Sequence, residues 1–389
     1  MADLPGFFNA VVITDADSRG ESANGGVGRT PEDARNAAVG EALERYAAGA
    51  ARFPLQRRDD LHDKAMLFSR EFSLFSAEQY AARDFPWPPP DDGAEILAPV
   101  FALADNRETW IPHELVGLGS RITPARLPST STGLAAHGSR FLALLRALEE
   151  LLERDALTVT WLNGLPGREL TLPSAYTEPV LRLAGEVCAF DFTQIWNPHP
   201  VVAVCGHLPL RGWPRLSFGI ACRPSLVEAA ESAYREWFQG VLFVGYHRSE
   251  NPDQRLERPT DVRDFIQHGV YYADKPADWA KVPLLRAKAS GRSVSMEAPS
   301  GMKPAHMVAH LHGALAAQGI RVFYRDLTPV DVARLGVTVV RAVSPDLSLL
   351  HADERTPFLG GRVRDIAWRY PDLAPTRDCF PNPLPHPLG

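Results

Sequence analysis

Three stretches of the sequence carry acidic or amide side chains one helical turn apart. They are Glu41 and Glu44 in ARNAAVGEALERYA, Glu150 and Glu153 in STGLAAHGSRFLALLRALEELLERDA, and Glu236 and Gln239 in AAESAYREWFQG. Arg45 and Arg154 directly follow the second glutamate of the first two. Superposed on the first glutamate, the stretches align Ala34 with Ala143 and Ala229, and Ala38 with Ala147 and Ala233. At about 100° per residue, Glu41 and Glu44 share a face with Ala34, Ala37 and Ala48, while Val39, Leu43 and Tyr46 lie opposite. Small residues around an acid pair permit close approach to the carboxylates. Carboxylates that lose water need a cation, and hard oxygen ligands gathered from several helices suit Mg²⁺ with a bound phosphate. The competing reading of any one pair is a solvated helix face. It fits the central stretch best, because Arg146 falls between Glu150 and Glu153 on the wheel. Threefold recurrence favours the site.

The elements that must position these acids read as repeated strand, loop and helix. Phe7 to Thr14 patterns as a strand, followed by the loop SRGESANGGVGRT, after which Thr30, Pro31 and Asp33 start a helix as N-cap, N1 and N3. The GGVG of that loop could cradle a phosphate with its amides, although it lacks the lysine and hydroxyl of a P-loop. FPWPPPDDG reads as a polyproline-type linker or surface loop. Ile96 to Ala104 and Glu108 to Ile111 form a strand pair around Asp105-Asn106. Pro198 to Leu208 and Arg215 to Cys222 pattern as buried strands, and Ser225 with Glu228 opens the third acid-bearing helix. Residues 247–260 read as an exposed loop. A helix over Ala305 to Gln318, a strand over Ile320 to Tyr324, a short helix over Pro329 to Leu335 and a strand over Val337 to Val343 complete the pattern. The class is α/β, or mixed α+β. Residues 1–355 form one domain on this reading, and residues 356–389 a loop-rich tail ending in PNPLPHPLG, extended and low in conformational freedom.

Composition bounds the function. A chain of 389 residues with 45% hydrophobic content can bury a large core, and its net charge of −6 gives no electrostatic case for nucleic acid. Cys188, Cys205, Cys222 and Cys379 are widely spaced, form no CxxC pair and read as thiols of a reducing compartment. With neither a signal peptide nor a spanning segment, the expected location is the cytoplasm. His306 and His310, with His312 nearby, are a candidate metal pair without an acid or cysteine to complete it, so surface histidines are the favoured reading.

GGVGRTPEDARNAAVGEALERY, the central stretch, AAESAYREWFQG, PFLGGRV and a proline-alternating C-terminus together resemble the YcaO family over nearly the whole chain. The resemblance implies a mixed α/β fold that binds ATP and Mg²⁺ between acid-bearing helices. It implies activation of backbone amides in a ribosomally made precursor peptide. In the azoline-forming branch a Cys, Ser or Thr side chain attacks the preceding carbonyl, ATP phosphorylates the resulting oxygen, and phosphate leaves as the ring closes. Position by position, Glu41, Glu44, Glu150 and Glu153 match the metal and phosphate carboxylates, Arg45 and Arg154 complete the two ExxER motifs, and Glu236 and Gln239 match the ExxQ of the third helix. Pro383, Pro385 and Pro387 match the prolines that place the family's C-terminus in the active site, where the carboxylate of Gly389 could serve as base. The sequence departs from the family at three positions. Gly138 and Leu142 stand where it often has Asn and Glu, and Ala37 where it often has Ser. The start of the chain close to its first motif implies a separate leader-binding partner, E1-like or ThiF-like, and a flavin-dependent azoline oxidase is a further candidate partner. Thioamide or amidine formation and a non-catalytic peptide-binding scaffold are the alternative readings.

Overall fold

A computed structural model describes residues 6–14, 22–119, 122–210, 213–294, 301–375 and 380–389. Cys379 lies outside them, as does the start of the glycine-containing loop. The fold is mixed α/β, with three antiparallel or mixed sheets packed around long helices. Strands Phe8–Thr14 and Ser22–Gly28 pair as a two-stranded sheet. A five-stranded sheet runs in the order Trp213–Cys222, Val201–Leu210, Glu186–Asp191, Arg168–Thr171, Lys288–Ser293. A seven-stranded sheet has Ile96–Ala102 and Glu108–Pro112 on one side and Phe323–Asp326, Thr338–Val343 and Leu134–His137 on the other.

The expected loop before the first acid helix is in part a strand. Residues 22–28 pair along their whole length with residues 8–14, and the glycines are there to let a helix lie close. A Cβ on Gly26 would sit 2.3 Å from both the Ala34 carbonyl oxygen and the Ala38 nitrogen, and one on Gly28 would sit 2.5 Å from the Ala34 nitrogen. Helix Pro31–Ala50 is held at its start by a capping box between Thr30 and Asp33, with Pro31 inside the first turn. At the third helix, Leu226–Glu250, Ser225 caps by accepting from the Glu228 amide, without the reciprocal bond of a capping box, and a Cβ on Gly219 would meet the Ala233 oxygen at 2.3 Å. That helix continues through Glu250, so the first residues of the expected 247–260 loop are helical. Ala34, Ala38, Ala229 and Ala233 are fully buried, with strand backbone against Ala34, Ala38 and Ala233, and are not left open for a ligand, whereas Ala37 is exposed.

Helix Arg140–Leu162 is the central element. From Ala143 onward it is almost wholly buried, since its leucines, Ala147, Ala156 and Trp161 face packed neighbours on every side. Among the described residues after 355 there is one short helix, Ile366–Arg369, and otherwise no regular element. It is nonetheless fastened to the core. Arg369 forms a bidentate pair with Asp155 of the central helix at 2.8 and 2.6 Å, with both side chains fully buried. No helix among the described residues is long and apolar enough to cross a membrane.

Candidate active site

Each acid-bearing helix follows a strand, and its first glutamate reaches back to a backbone amide of the strand or of the turn that leads into it. Gly25 N–H donates to Glu41 Oε2 at 3.0 Å, Ile220 N–H donates to Glu236 Oε2 at 2.7 Å, and Gly133 N–H donates to Glu150. In the first and third helices the donor lies 16 residues upstream of the acceptor. In all three helices the first acid is thus tied to a backbone amide upstream, and the second position lies one turn onward. The arginine of each ExxER motif pairs with that first acid, Arg45 Nη2 with Glu41 Oε1 at 2.7 Å and Arg154 Nη2 with Glu150 Oε1 at 3.3 Å. These are i,i+4 pairs in the favourable order, acid before base.

The three helices converge. Glu44 feels Glu150 and Glu41, Glu150 feels Arg154 and Arg341, and Glu236 feels Arg154, Arg223 and Glu150. Gln239 brings the third helix to the strand that leads into the first, since a Cβ on Gly25 would lie 2.8 Å from its Nε2. All eight predicted positions on the three helices, Glu41, Glu44, Arg45, Glu150, Glu153, Arg154, Glu236 and Gln239, thus border one region.

Electrostatically this region holds more negative charge than it neutralises. Burial, followed by repulsion from Glu150 and Glu41, holds the Glu44 carboxyl well above its ordinary range. Glu150 and Glu236 are likewise raised, burial being the main cause for each. Glu153 is pushed up to about 7 by burial, against the opposing charge of Arg223. Glu153 also accepts from the Cys222 amide at 2.7 Å and from Arg223 Nη1 at 2.8 Å, so it is the most committed of the set to protein partners.

Two arginines that motif spacing did not single out stand in this region. Arg341, in strand Thr338–Val343, is 1% exposed, donates to the Thr130 carbonyl at 2.8 Å and faces Glu44 and Glu150. Burial pulls its guanidinium down to about 10, where it is still charged at neutral pH. The available signal was a cation in the middle of an apolar run, VTVVRAV, a residue type almost never fully buried unless paired. Arg223 follows strand Trp213–Cys222 and had no such signal. Buried Nε atoms of Arg154 and Arg341 have no hydrogen-bond partner among the described residues. Crowded carboxylates with raised proton affinity beside unused arginine donors fit a divalent cation carrying a phosphate, each charge answering the other.

Glu149, next to Glu150, is not of this kind. It is fully buried and matched by Arg146 at 2.5 Å and His199 at 2.9 Å. The Arg146 that crowded the helical wheel is therefore engaged by Glu149, away from the Glu150–Glu153 edge. Gly138 is exposed and Leu142 half-buried, so neither supplies a polar group. His137 uses Nδ1 to accept from the Ser139 amide, a local turn at the start of the central helix. His306 and His310 are exposed, as the surface reading expects.

The proline-alternating tail is packed rather than free. A polyproline backbone has no internal hydrogen bonds. Here the carbonyls of Leu384, Pro385 and His386 accept from Trp161 Nε1 at 2.7 Å, Tyr272 OH at 2.6 Å and the His268 ring at 2.8 Å. Asn382 N–H donates to the Leu162 carbonyl at 2.8 Å, at the end of the central helix, whereas His386 lies in the electrostatic field of Arg154. Pro383 is exposed, Pro385 and Pro387 are buried, and Gly389 rests against Gly269 and the Phe265 carbonyl of helix Phe265–Asp274.

A family model described as YcaO cyclodehydratase, ATP- and Mg²⁺-binding, matches residues 25–348. Among solved structures, a heterocyclase in complex with substrate and cofactor superposes with a TM-score of 0.73 at 20% identity, covering 94% of this chain and 50% of that one. The heterocyclase TruD gives 0.62 at 18% identity, with 90% and 50% covered. The chain thus spans half the length of these two heterocyclases. YcaO from Methanopyrus kandleri, bound with AMPPCP and Mg²⁺, gives 0.64 at 18% identity, with 89% and 84% covered. A search of curated proteins finds no match.

Proposed function

The chain belongs to the YcaO family, and from that premise we propose that it is an ATP- and Mg²⁺-dependent cyclodehydratase subunit converting Cys, Ser or Thr residues of a ribosomally made precursor peptide into azolines. The observation that carries this reading is the meeting of Glu44, Glu150, Glu153 and Glu236, each with raised proton affinity, beside the free Nε atoms of Arg154 and Arg341. Membership of the family makes ATP and Mg²⁺ the cofactors. When bound, they supply a phosphoryl group that turns an amide oxygen, a very poor leaving group, into phosphate. The chain's own residues do the rest. Glu44, Glu150, Glu153 and Glu236 would hold the cation, with Glu41 and Gln239 at the edge of the set. Arg154 and Arg341 would serve the phosphate, and Arg45 holds Glu41 in place.

The tail is the proposed source of the base. From Leu162 to Arg154 the central helix rises about 12 Å, and from Asn382 to His386 an extended proline-rich segment covers about the same distance. The tail therefore ascends the helix toward the acids, with Pro383, Pro385 and Pro387 as stiffeners and the Gly389 carboxylate at its tip. That carboxylate would take the proton of the attacking thiol or hydroxyl. The peptide's leader would be presented by an E1-like or ThiF-like partner, and a flavin-dependent oxidase would act afterwards on the azoline.

A second reading, a scaffold that binds peptide without turnover, is favoured by one observation: Gly138 and Leu142 leave the start of the central helix without amide or carboxylate. Calorimetric titration of ATP with and without Mg²⁺ decides between the two. The enzyme binds ATP only with Mg²⁺ and loses that binding in Glu150→Gln; absence of Mg²⁺-dependent binding in the wild type leaves the scaffold. Mass spectrometry of a co-expressed precursor from a neighbouring gene then reads the chemistry. Loss of one water per ring supports azolines, whereas exchange of oxygen for sulfur supports a thioamide.

A further inference from the structure

Three histidines and a glutamate meet where the tail packs on the core, and none of the four has a role assigned above. His268, His351 and His386 are at most 2% exposed, and the Glu354 side chain is 9% exposed. They come from helix Phe265–Asp274, from the segment after strand Thr338–Val343, and from the tail.

A neutral imidazole has a single N–H. His268 Nε2 lies 3.0 Å from the Ala352 carbonyl, and its Nδ1 lies 2.8 Å from the His386 carbonyl. One of these nitrogens must therefore turn a lone pair toward an oxygen, unless a cation sits there. In His386, Nε2 meets the His351 carbonyl at 2.7 Å, while Nδ1 has no hydrogen-bond partner. Neither ring nitrogen of His351 makes a hydrogen bond, yet Nε2 is 3.3 Å from Glu354 Oε1. His386, with one imidazole nitrogen anchored on a backbone carbonyl and the other unpartnered, is arranged as proteins orient metal-binding histidines. The spacing agrees as well. Two donors held 2.0–2.1 Å from a tetrahedral ion are about 3.3 Å apart, and here His351 Nε2 and His268 Nδ1 stand 3.3 and 3.7 Å from Glu354 Oε1.

We propose that His268, Glu354 and His386, whose donor atoms lie within 4.8 Å of one another, form with His351 a structural Zn²⁺ site that locks the C-terminal tail to the core. Imidazole nitrogen suits Zn²⁺ and not Mg²⁺, so this site is chemically distinct from the acid cluster. The rings of His268 and His386 stack in parallel 3.6 Å apart, so Nδ1 of His386 joins the ion by a tilt of its ring. His351 stands at 79° and 82° to the other two.

The test is elemental analysis of the full chain, grown with zinc and dialysed in Mg²⁺-containing buffer, with Co²⁺ substitution as a spectroscopic reporter. One equivalent of zinc and tetrahedral Co²⁺ bands are expected, both lost in Glu354→Gln and in His351→Ala, together with a lower melting temperature of the wild type after chelation. Two variants guard against one that fails to fold. A wild-type chain that retains no zinc and leaves Co²⁺ octahedral overturns the proposal and leaves the three histidines as packing and hydrogen-bonding groups of the tail. Zinc retained by both variants overturns it too. None of these readouts depends on ATP, so failure here is separable from failure of the cyclodehydratase reading.

Discussion

The central helix carries acids of two kinds within two turns. Asp155 is fully buried and fully answered: Arg369 grips both oxygens, Gln194 Nε2 donates at 3.2 Å and Ser348 N–H donates at 2.8 Å. Glu149, with Arg146 and His199, is the same case. Glu150 and Glu153, on the adjoining edge, are buried beside other acids and hold their protons more tightly than ordinary carboxylates do. Burial is common to both kinds; full compensation is not, because Glu150 and Glu153 each pair with one arginine, Arg154 and Arg223, yet also face other acids. A buried acid with its cation in the chain is a fastening, and a buried acid short of cation is a place for one to arrive.

That contrast can be broken experimentally, and the largest effect should fall on the fastening. Arg369→Ala strands the Asp155 charge, and chemical denaturation should show a loss of about 3–5 kcal/mol. A loss under 1 kcal/mol would mean the pair is not what holds the tail on.

The acid edge should respond to pH in the direction opposite to most carboxylates. Glu153 has a folded value of about 7 against an ordinary 4.5. Between these values the folded state binds more protons than the unfolded one, so its contribution is fully present below about pH 4.5 and lost as pH rises through about 7. The ceiling is about 3 kcal/mol, and Glu44, Glu150 and Glu236 act in the same sense. Melting curves of the metal-free protein should therefore fall between pH 5 and 7.5, and Mg²⁺ with nucleotide should restore the loss, by about 2.7 kcal/mol at a hundredfold excess over Kd. Melting temperatures that rise across this window would remove the case for an uncompensated cluster.

Glu150→Gln sharpens the contrast further. Loss of a direct carboxylate should weaken Mg²⁺-dependent nucleotide binding at least ~100-fold, since even outer-shell partners of metals are worth 10–100-fold. The same substitution should leave the metal-free melting temperature level or higher, because it removes an unfavourable charge. Smallest of all, Glu178→Ala, which deletes an exposed i,i+4 pair with Arg182, should change neither stability nor nucleotide binding measurably.

Much of this was legible in the chain. The Thr30 and Ser225 caps, the strands flanking Asp105-Asn106 and the helix after residue 304 follow from local chemistry, because capping and periodicity act over a few residues. The strand over residues 22–28 was not, since SANGGVG has glycines where a strand ordinarily has side chains. Those glycines are required by the helix laid across them, a contact that no local rule anticipates.

By itself the sequence determined the family, the mixed α/β class and the recurrence of acids at helical spacing, all of which depend on residue type and short separations. Only the tertiary structure decided which acids are spoken for. Glu149 and Glu150 are neighbours in the chain, yet one faces His199 and Arg146 while the other faces Glu44 across the helix pair. Charge compensation depends on distances between side chains tens to hundreds of residues apart, as with Asp155 and Arg369, and those distances exist only once the helices have packed.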